Sequence, residues 1–205
     1  MNQNNQSLFW LAIASIFIAG CDGNDVPTFG PEQKKIYSGQ FLDSAVANLD
    51  YSSATQAGTT DAKGIFSYQE DESVTFAVGN VTLGTAAGQA IITPVDLIPN
   101  SSSSTAEVQN ISRFLLALDQ DDDPRNGITI SPAVRSAAGS WTSVDFSATD
   151  FDSQIAAILA EAGSVDGRTV EMPSSTEAKE HLEKSIFCAY GGGFIGIFSG
   201  SSSQG

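Results

Sequence analysis

Positive charge is scarce in this sequence: nine Lys and Arg stand against twenty-four Asp and Glu, for a net charge of -15 at pH 7. So anionic a surface repels polyanions, which argues against nucleic acid as a partner and against binding anionic lipid by charge. Cysteine is scarce as well. Only Cys21 and Cys188 occur, so a disulfide framework is not expected, and a chain of this length buries a core without one. Histidine is limited to His181, and no G-x-S-x-G, H-E-x-x-H, Walker A or G-x-G-x-x-G pattern is found. Asp and Glu are plentiful, but nothing in the pattern singles out two of them as an acid and a base. Long apolar runs are also missing. The single candidate, Leu8 to Ala19, is about a dozen residues, well under the roughly 20 needed to span a bilayer as a helix.

That run has the length of the apolar part of a secretory leader, although the preceding MNQNNQS contains no Lys or Arg. It ends in Ile18, Ala19, Gly20 and Cys21, which resembles the lipobox of bacterial lipoproteins: an aliphatic residue, a small one, Gly or Ala, then Cys. The resemblance implies that residues 1–20 are removed and that Cys21 is acylated on its sulfur and amine. Several acyl chains, palmitate among them, would hold the protein at a membrane face of the cell envelope. Ordinary cleaved export and an uncleaved N-terminal anchor are the alternatives. By resemblance to lipoproteins of enteric bacteria, Asp22 implies retention in the inner membrane, a rule that varies between bacterial groups. Residues 21–35, rich in Gly, Pro, Asn and charge, predict a flexible tether.

From Ile36 to Pro99 the pattern is of short strands punctuated by Gly, Asn and Asp. Ile65, Phe66 and Tyr68 form one run. Val74, Phe76 and Val78 alternate with Thr75 and Ala77, which places the large residues on one strand face. Gly79-Asn80 suits a two-residue hairpin leading into Val81 and Leu83. Ile91 and Ile92 close the region before Pro94 stops the ladder. The turn containing Thr60, Asp61, Gly64 and Phe66 predicts backbone hydrogen bonds to Asp61, positive φ at Gly64 and a buried Phe66. With Gly39, Phe41, Asp43, Val46 and Leu49 ahead of it, this stretch resembles the carboxypeptidase-regulatory-like and Cna-B-type modules, which are prealbumin-like β-sandwiches. The resemblance covers about a third of the chain and implies a stalk, spacer or recognition module with no catalytic residues.

After the polar Asn100–Ser104 stretch the period becomes helical. Ser104 and Glu107 fit a capping box ahead of Val108, Ile111, Phe114, Leu115 and Leu118. A second helix is expected from Asp152 to Ala162, closed by Gly163. A third begins at Ser174, with Glu177 three residues on, and carries Ala178, Leu182, Ile186 and Ala189. The expected fold class is therefore α+β: a small antiparallel β-sandwich over residues 36–99, then a segment of about three amphipathic helices over 100–190.

Between the first two helices, Asp119, Asp121 and Asp123 alternate in a way that resembles the opening of an EF-hand or dockerin-type calcium loop, which offers oxygen ligands to a hard cation. Pro124 stands where that family has Gly, and Ile130 where it has a bidentate Glu. A solvated acidic turn is the competing reading. His181 and Cys188 lie seven residues apart on the third helix, about 10 Å at ~1.5 Å rise per residue, too far for a nucleophile and base pair. His181 is thus expected on the helix surface and Cys188 as a small buried apolar residue.

The final 191–205 stretch contains Phe194, Ile195, Ile197 and Phe198, which resemble the first strand of a further β unit. It predicts either the front part of a longer surface lipoprotein or a strand that docks on the sandwich. The functional expectation is a lipid-anchored envelope protein acting as a binding, spacer or surface-interaction module. Its partners would be the membrane, through the anchor, and a protein or glycan. The alternatives are a periplasmic enzyme or enzyme accessory built on the loop Asp119 to Asp123, and a remnant without function.

Overall fold

A computed structural model describes residues 34–191. The leader-like stretch with Cys21, nearly all of the tether and the apolar residues Phe194 to Phe198 lie outside the described residues. The fold is α+β, with antiparallel sheets packed in the manner of a sandwich and five helices.

The first sheet centres on β1 (Ile36–Phe41), antiparallel to β5 (Ile65–Gln69) and parallel to β8 (Ile91–Ile92). The second is antiparallel throughout. It joins β3 (Asp50–Ser52), β4 (Ala57–Thr59), β6 (Ser73–Val78) and β7 (Val81–Ala87) in the order β4-β3-β6-β7. Alternation fixes which side chains point inward. Val74, Phe76 and Val78 of β6 are fully buried while Thr75 and Ala77 are only partly so. Opposite them, Phe41 and Phe66 meet Phe76 at ring separations of 4.7 and 5.1 Å, which closes the two sheets on one aromatic layer. The Gly79-Asn80 turn joins β6 to β7 with Val78 opposite Val81.

The turn before β5 behaves as its residue types dictate. Asp61 Oδ1 accepts from the amides of Lys63 and Ile65 at 2.8 and 2.9 Å. Gly64 takes φ +73°, and a Cβ there would lie 2.5 Å from the Phe41 carbonyl oxygen. Thr60, buried, donates through Oγ1 to the Val46 carbonyl and accepts from the Leu49 amide, pinning the Val46–Leu49 segment to the turn.

A short parallel pair joins β2 (Val46–Ala47) to β9 (Ile128–Thr129), so the β-rich and helix-rich parts of the chain share backbone pairing. They also share one hydrophobic cluster, running from Phe41 through Phe76 and Phe114 to Ala162.

Helix α2 (Ala106–Ala117) buries Val108, Ile111, Phe114 and Leu115, the expected face. Its N-cap is Thr105 rather than Ser104, and no capping box forms, because Ser102 and Thr105 cap one another in the preceding turn. Helix α4 (Phe151–Asp166) runs past Gly163 and ends at Gly167, whose φ of +67° supplies the left-handed cap. Gly163 serves another purpose. The returning chain passes so close that a Cβ would lie 2.6 Å from the Arg168 carbonyl oxygen. Helix α5 (Ser175–Ala189) starts at Ser174 with the expected Glu177 capping box.

Two shorter helices add to the three anticipated. In α1 (Pro94–Leu97), Pro94 ends the strand and also opens a helix, with Thr93 and Asp96 forming a capping box. In α3 (Pro132–Ala138), Ser131 caps the Val134 amide ahead of Pro132. Among the described residues no helix is long and apolar enough to cross a membrane.

Candidate functional site

Strand β1 runs into a tight corner, Leu42 to Ala45, closed by a bridge between those two residues. Ser44 occupies this corner with φ +56°, an uncommon conformation for a non-glycine residue. The corner turns the side chain of Asp43 inward and that of Ser44 toward α5. Asp43 is fully buried, and neither carboxylate oxygen has a hydrogen-bond partner among the described residues. Burial pushes its pKa up to about 6, against the pull of His181 opposite and a smaller pull from the buried Ser112 hydroxyl.

His181 comes from the middle of α5, and its Nε2 faces three oxygens. It lies 3.2 Å from the Asp43 carbonyl oxygen, 3.2 Å from Ser44 Oγ and 3.7 Å from Asp43 Oδ1. Two further bonds stitch the helix to the corner. The Ser44 amide donates to Ser185 Oγ at 2.9 Å, and Ser185 Oγ donates to the His181 carbonyl. Ser44 Oγ donates to the Pro124 carbonyl at 2.8 Å, which ties the acidic loop to the same point. With that proton committed, Ser44 Oγ accepts from Nε2–H.

Asp, His and Ser are thus gathered, but not as a nucleophile relay. A relay needs the acid on one ring nitrogen and the serine on the other, so that the imidazole can take the hydroxyl proton. Here both meet Nε2, and the serine proton points away from the ring. What the cluster does is fix the imidazole and hold α5 against the β1 corner.

Beside it opens a hollow of about 480 Å³ between the corner, the Pro124–Gly127 loop and α5. His181, Lys184 and Arg125 line it together with Leu42, Pro124 and Cys188. Two expectations are corrected by this arrangement. His181 is not a surface residue of the helix, since only 17% of its side chain is exposed. Cys188, expected to be buried, is an exposed free thiol, because the last turn of α5 extends past the core that covers Leu182.

The three aspartates of the acidic loop are near enough to feel one another's charge, but each is engaged separately. Asp119 is fully buried, accepts from the Thr129 amide at 2.9 Å, and is pushed up to about 6 by burial. Asp121 instead turns back on its own loop. It accepts from Asn126 Nδ2 and the Asp123 amide, and these bonds hold its carboxyl below the usual carboxylate range. Asp123 binds Arg125 through Nε and Nη2 at 2.6 and 2.8 Å, which lowers it likewise. Among the described residues no group of three or more His, Cys, Asp or Glu side chains is placed to hold a metal ion. As placed, the aspartates of the loop do not form a calcium ligand set. Asp119 serves the core, and the turn is closed by its own amide and guanidinium donors.

Sequence reasoning missed the Asp43–His181 contact. In the sequence Asp43 stands out only as part of the strand pattern and His181 only in relation to Cys188. The one available signal was that the sole histidine sits on the buried side of an amphipathic helix beside Leu182. No protein-family model, curated protein or solved structure matches the chain.

Proposed function

We propose that this chain is a lipid-anchored protein of the bacterial cell envelope whose folded body works as a binding or surface-interaction module. The observation that carries the reading is the order Ile18, Ala19, Gly20, Cys21 at the end of an apolar run too short to span a bilayer. Acyl chains on Cys21 would supply the membrane affinity that a surface of net charge -15 cannot obtain from anionic lipid.

A binding role, rather than a catalytic one, is favoured by how the polar side chains are used. Ser44, Ser185 and His181 spend their hydrogen bonds on joining α5 to the β1 corner, and Asp121 and Asp123 spend theirs on closing a turn. The hollow beside His181 has the size of a small-molecule site. The experiment is metabolic labelling with a fatty-acid analogue in a bacterial host, comparing the wild type with Cys21→Ser. Label on the wild type alone, in the membrane fraction, is the expected result. An unlabelled wild type that keeps its initiator methionine and stays in the cytosol would overturn the proposal.

A further inference from the structure

The hollow beside His181 departs from the rest of the molecule in its charge. Acidic residues outnumber basic ones by twenty-four to nine in the sequence, yet the wall contains Arg125, Lys184 and His181 and no Asp or Glu. We propose that this hollow binds a small organic anion, a carboxylate carried on an apolar body. The inference rests on the reading of the folded body as a binding module, and it names the chemistry of the ligand.

The two permanently charged side chains, Lys184 and Arg125, have donors to spare. Lys184 is exposed and makes no ion pair among the described residues, whereas Lys179, one turn earlier on α5, is paired with Glu183. Arg125 uses Nε and Nη2 on Asp123, which leaves Nη1 for another acceptor. His181 is fixed through Nε2, and Nδ1 makes no hydrogen bond among the described residues. The carboxylate of Asp43 lies 3.7 Å from Nε2, and Asp43 is not part of the wall of the hollow. Arg125 comes from the loop and Lys184 from the helix, and charged N–H donors make stronger and shorter bonds to a carboxylate than neutral donors would.

The rest of the wall sets the second requirement. Leu42, Ala45, Pro124 and Ala189 give it an apolar floor. Ser44 and Ser185 have committed their protons elsewhere and cannot donate to a ligand. A bare inorganic anion would meet the cations and leave the apolar floor wet. An acyl-type carboxylate satisfies both, and the volume of about 480 Å³ accommodates a short chain.

The test uses the full chain as Cys21→Ser, so that its outcome does not depend on lipidation. The fatty-acid labelling of Cys21 decides the anchoring separately. His181 is the only histidine, so its ring resonances report on the hollow without ambiguity. Sodium hexanoate, sodium acetate and inorganic phosphate are titrated at constant ionic strength. A saturable shift of the ring signals is expected with hexanoate, at least tenfold tighter than with acetate or phosphate. Lys184→Glu should weaken hexanoate at least tenfold, and Arg125→Gln about threefold, both with an unchanged circular dichroism spectrum. Absence of a saturable shift would overturn the proposal. So would hexanoate binding no more tightly than acetate or phosphate, or binding that is the same in both variants as in the Cys21→Ser parent.

Discussion

His181 Nε2 lies 3.7 Å from the carboxylate of Asp43, a contact between residues 138 positions apart in the chain. It joins the last helix to the end of the first strand, and it places an ionisable pair where water is excluded from the acid.

Asp43 and Asp119 set a pH dependence of stability whose sign follows from linkage. Asp43 and Asp119 are both raised from 3.8 to about 6 by burial, so the folded chain holds these protons more tightly than the unfolded one. Their contribution to stability is fully present below about pH 4 and is lost as pH rises through 6. Asp121, Asp123, Glu177 and Glu183 are lowered by their hydrogen bonds, and their contribution is lost on acidification below about 4. Thermal unfolding across pH should therefore show maximal stability near pH 5, with Tm roughly 3 to 8 °C above that at pH 7.5. Relief of general charge repulsion acts in the same direction, and Asp43→Asn separates the two effects. The variant should be the more stable at pH 7.5 and should show a visibly smaller rise toward pH 5. A wild-type Tm that falls steadily from pH 7.5 to 5 would contradict the burial argument.

Two glycines of similar φ should respond very differently to alanine. Gly167, with φ +67°, has nothing within 4 Å of where a Cβ would sit, so Gly167→Ala should cost only the conformational penalty of about 1 kcal/mol. Gly64, with φ +73°, would also place a Cβ 2.5 Å from the Phe41 carbonyl oxygen, which is backbone and cannot swing away. Gly64→Ala should therefore cost about 3 kcal/mol in urea denaturation. Equal costs for the two variants would show that the approach of Phe41 relaxes freely.

Calcium should have no stabilising effect on the loop from Asp119 to Asp123. Binding to the folded state alone would raise Tm by mass action, but Asp119 is turned into the core and Asp123 is engaged by Arg125. Scans in millimolar calcium and in chelator should agree within about 1 °C. A calcium-dependent rise of several degrees would mean that the three carboxylates rearrange to meet an ion.

Much of the local structure was legible because its causes are local. The alternation of Val74, Phe76 and Val78 needs only the period of a strand, and Ser174 with Glu177 needs only the geometry of one helical turn. Some local signals were misread. Thr93-Pro94 and Ser131-Pro132 both carry a cap followed by proline at the first helical position, yet only the strand-ending role of Pro94 was anticipated. Gly163 has the residue type of a helix stop, yet it lies within α4 and makes room for Arg168 on the returning chain. Spacing along one segment cannot reveal a neighbour that arrives from another.

The sequence by itself determined the kind of elements present, the inward faces of β6, β7 and α2, the first half of that of α5, where Ala178 and Leu182 are buried while Ala189 is exposed, and a leader-like stretch ending at Cys21. Those depend on residue type and period, which act over a few positions. Tertiary structure alone decided that β2 pairs with β9, that Asp119 is drawn into the core, and that His181 settles over Asp43 beside a basic hollow. Burial and charge proximity are properties of the packed chain, and they bring together an aspartate of the strand pattern and a helix histidine that lie 138 positions apart.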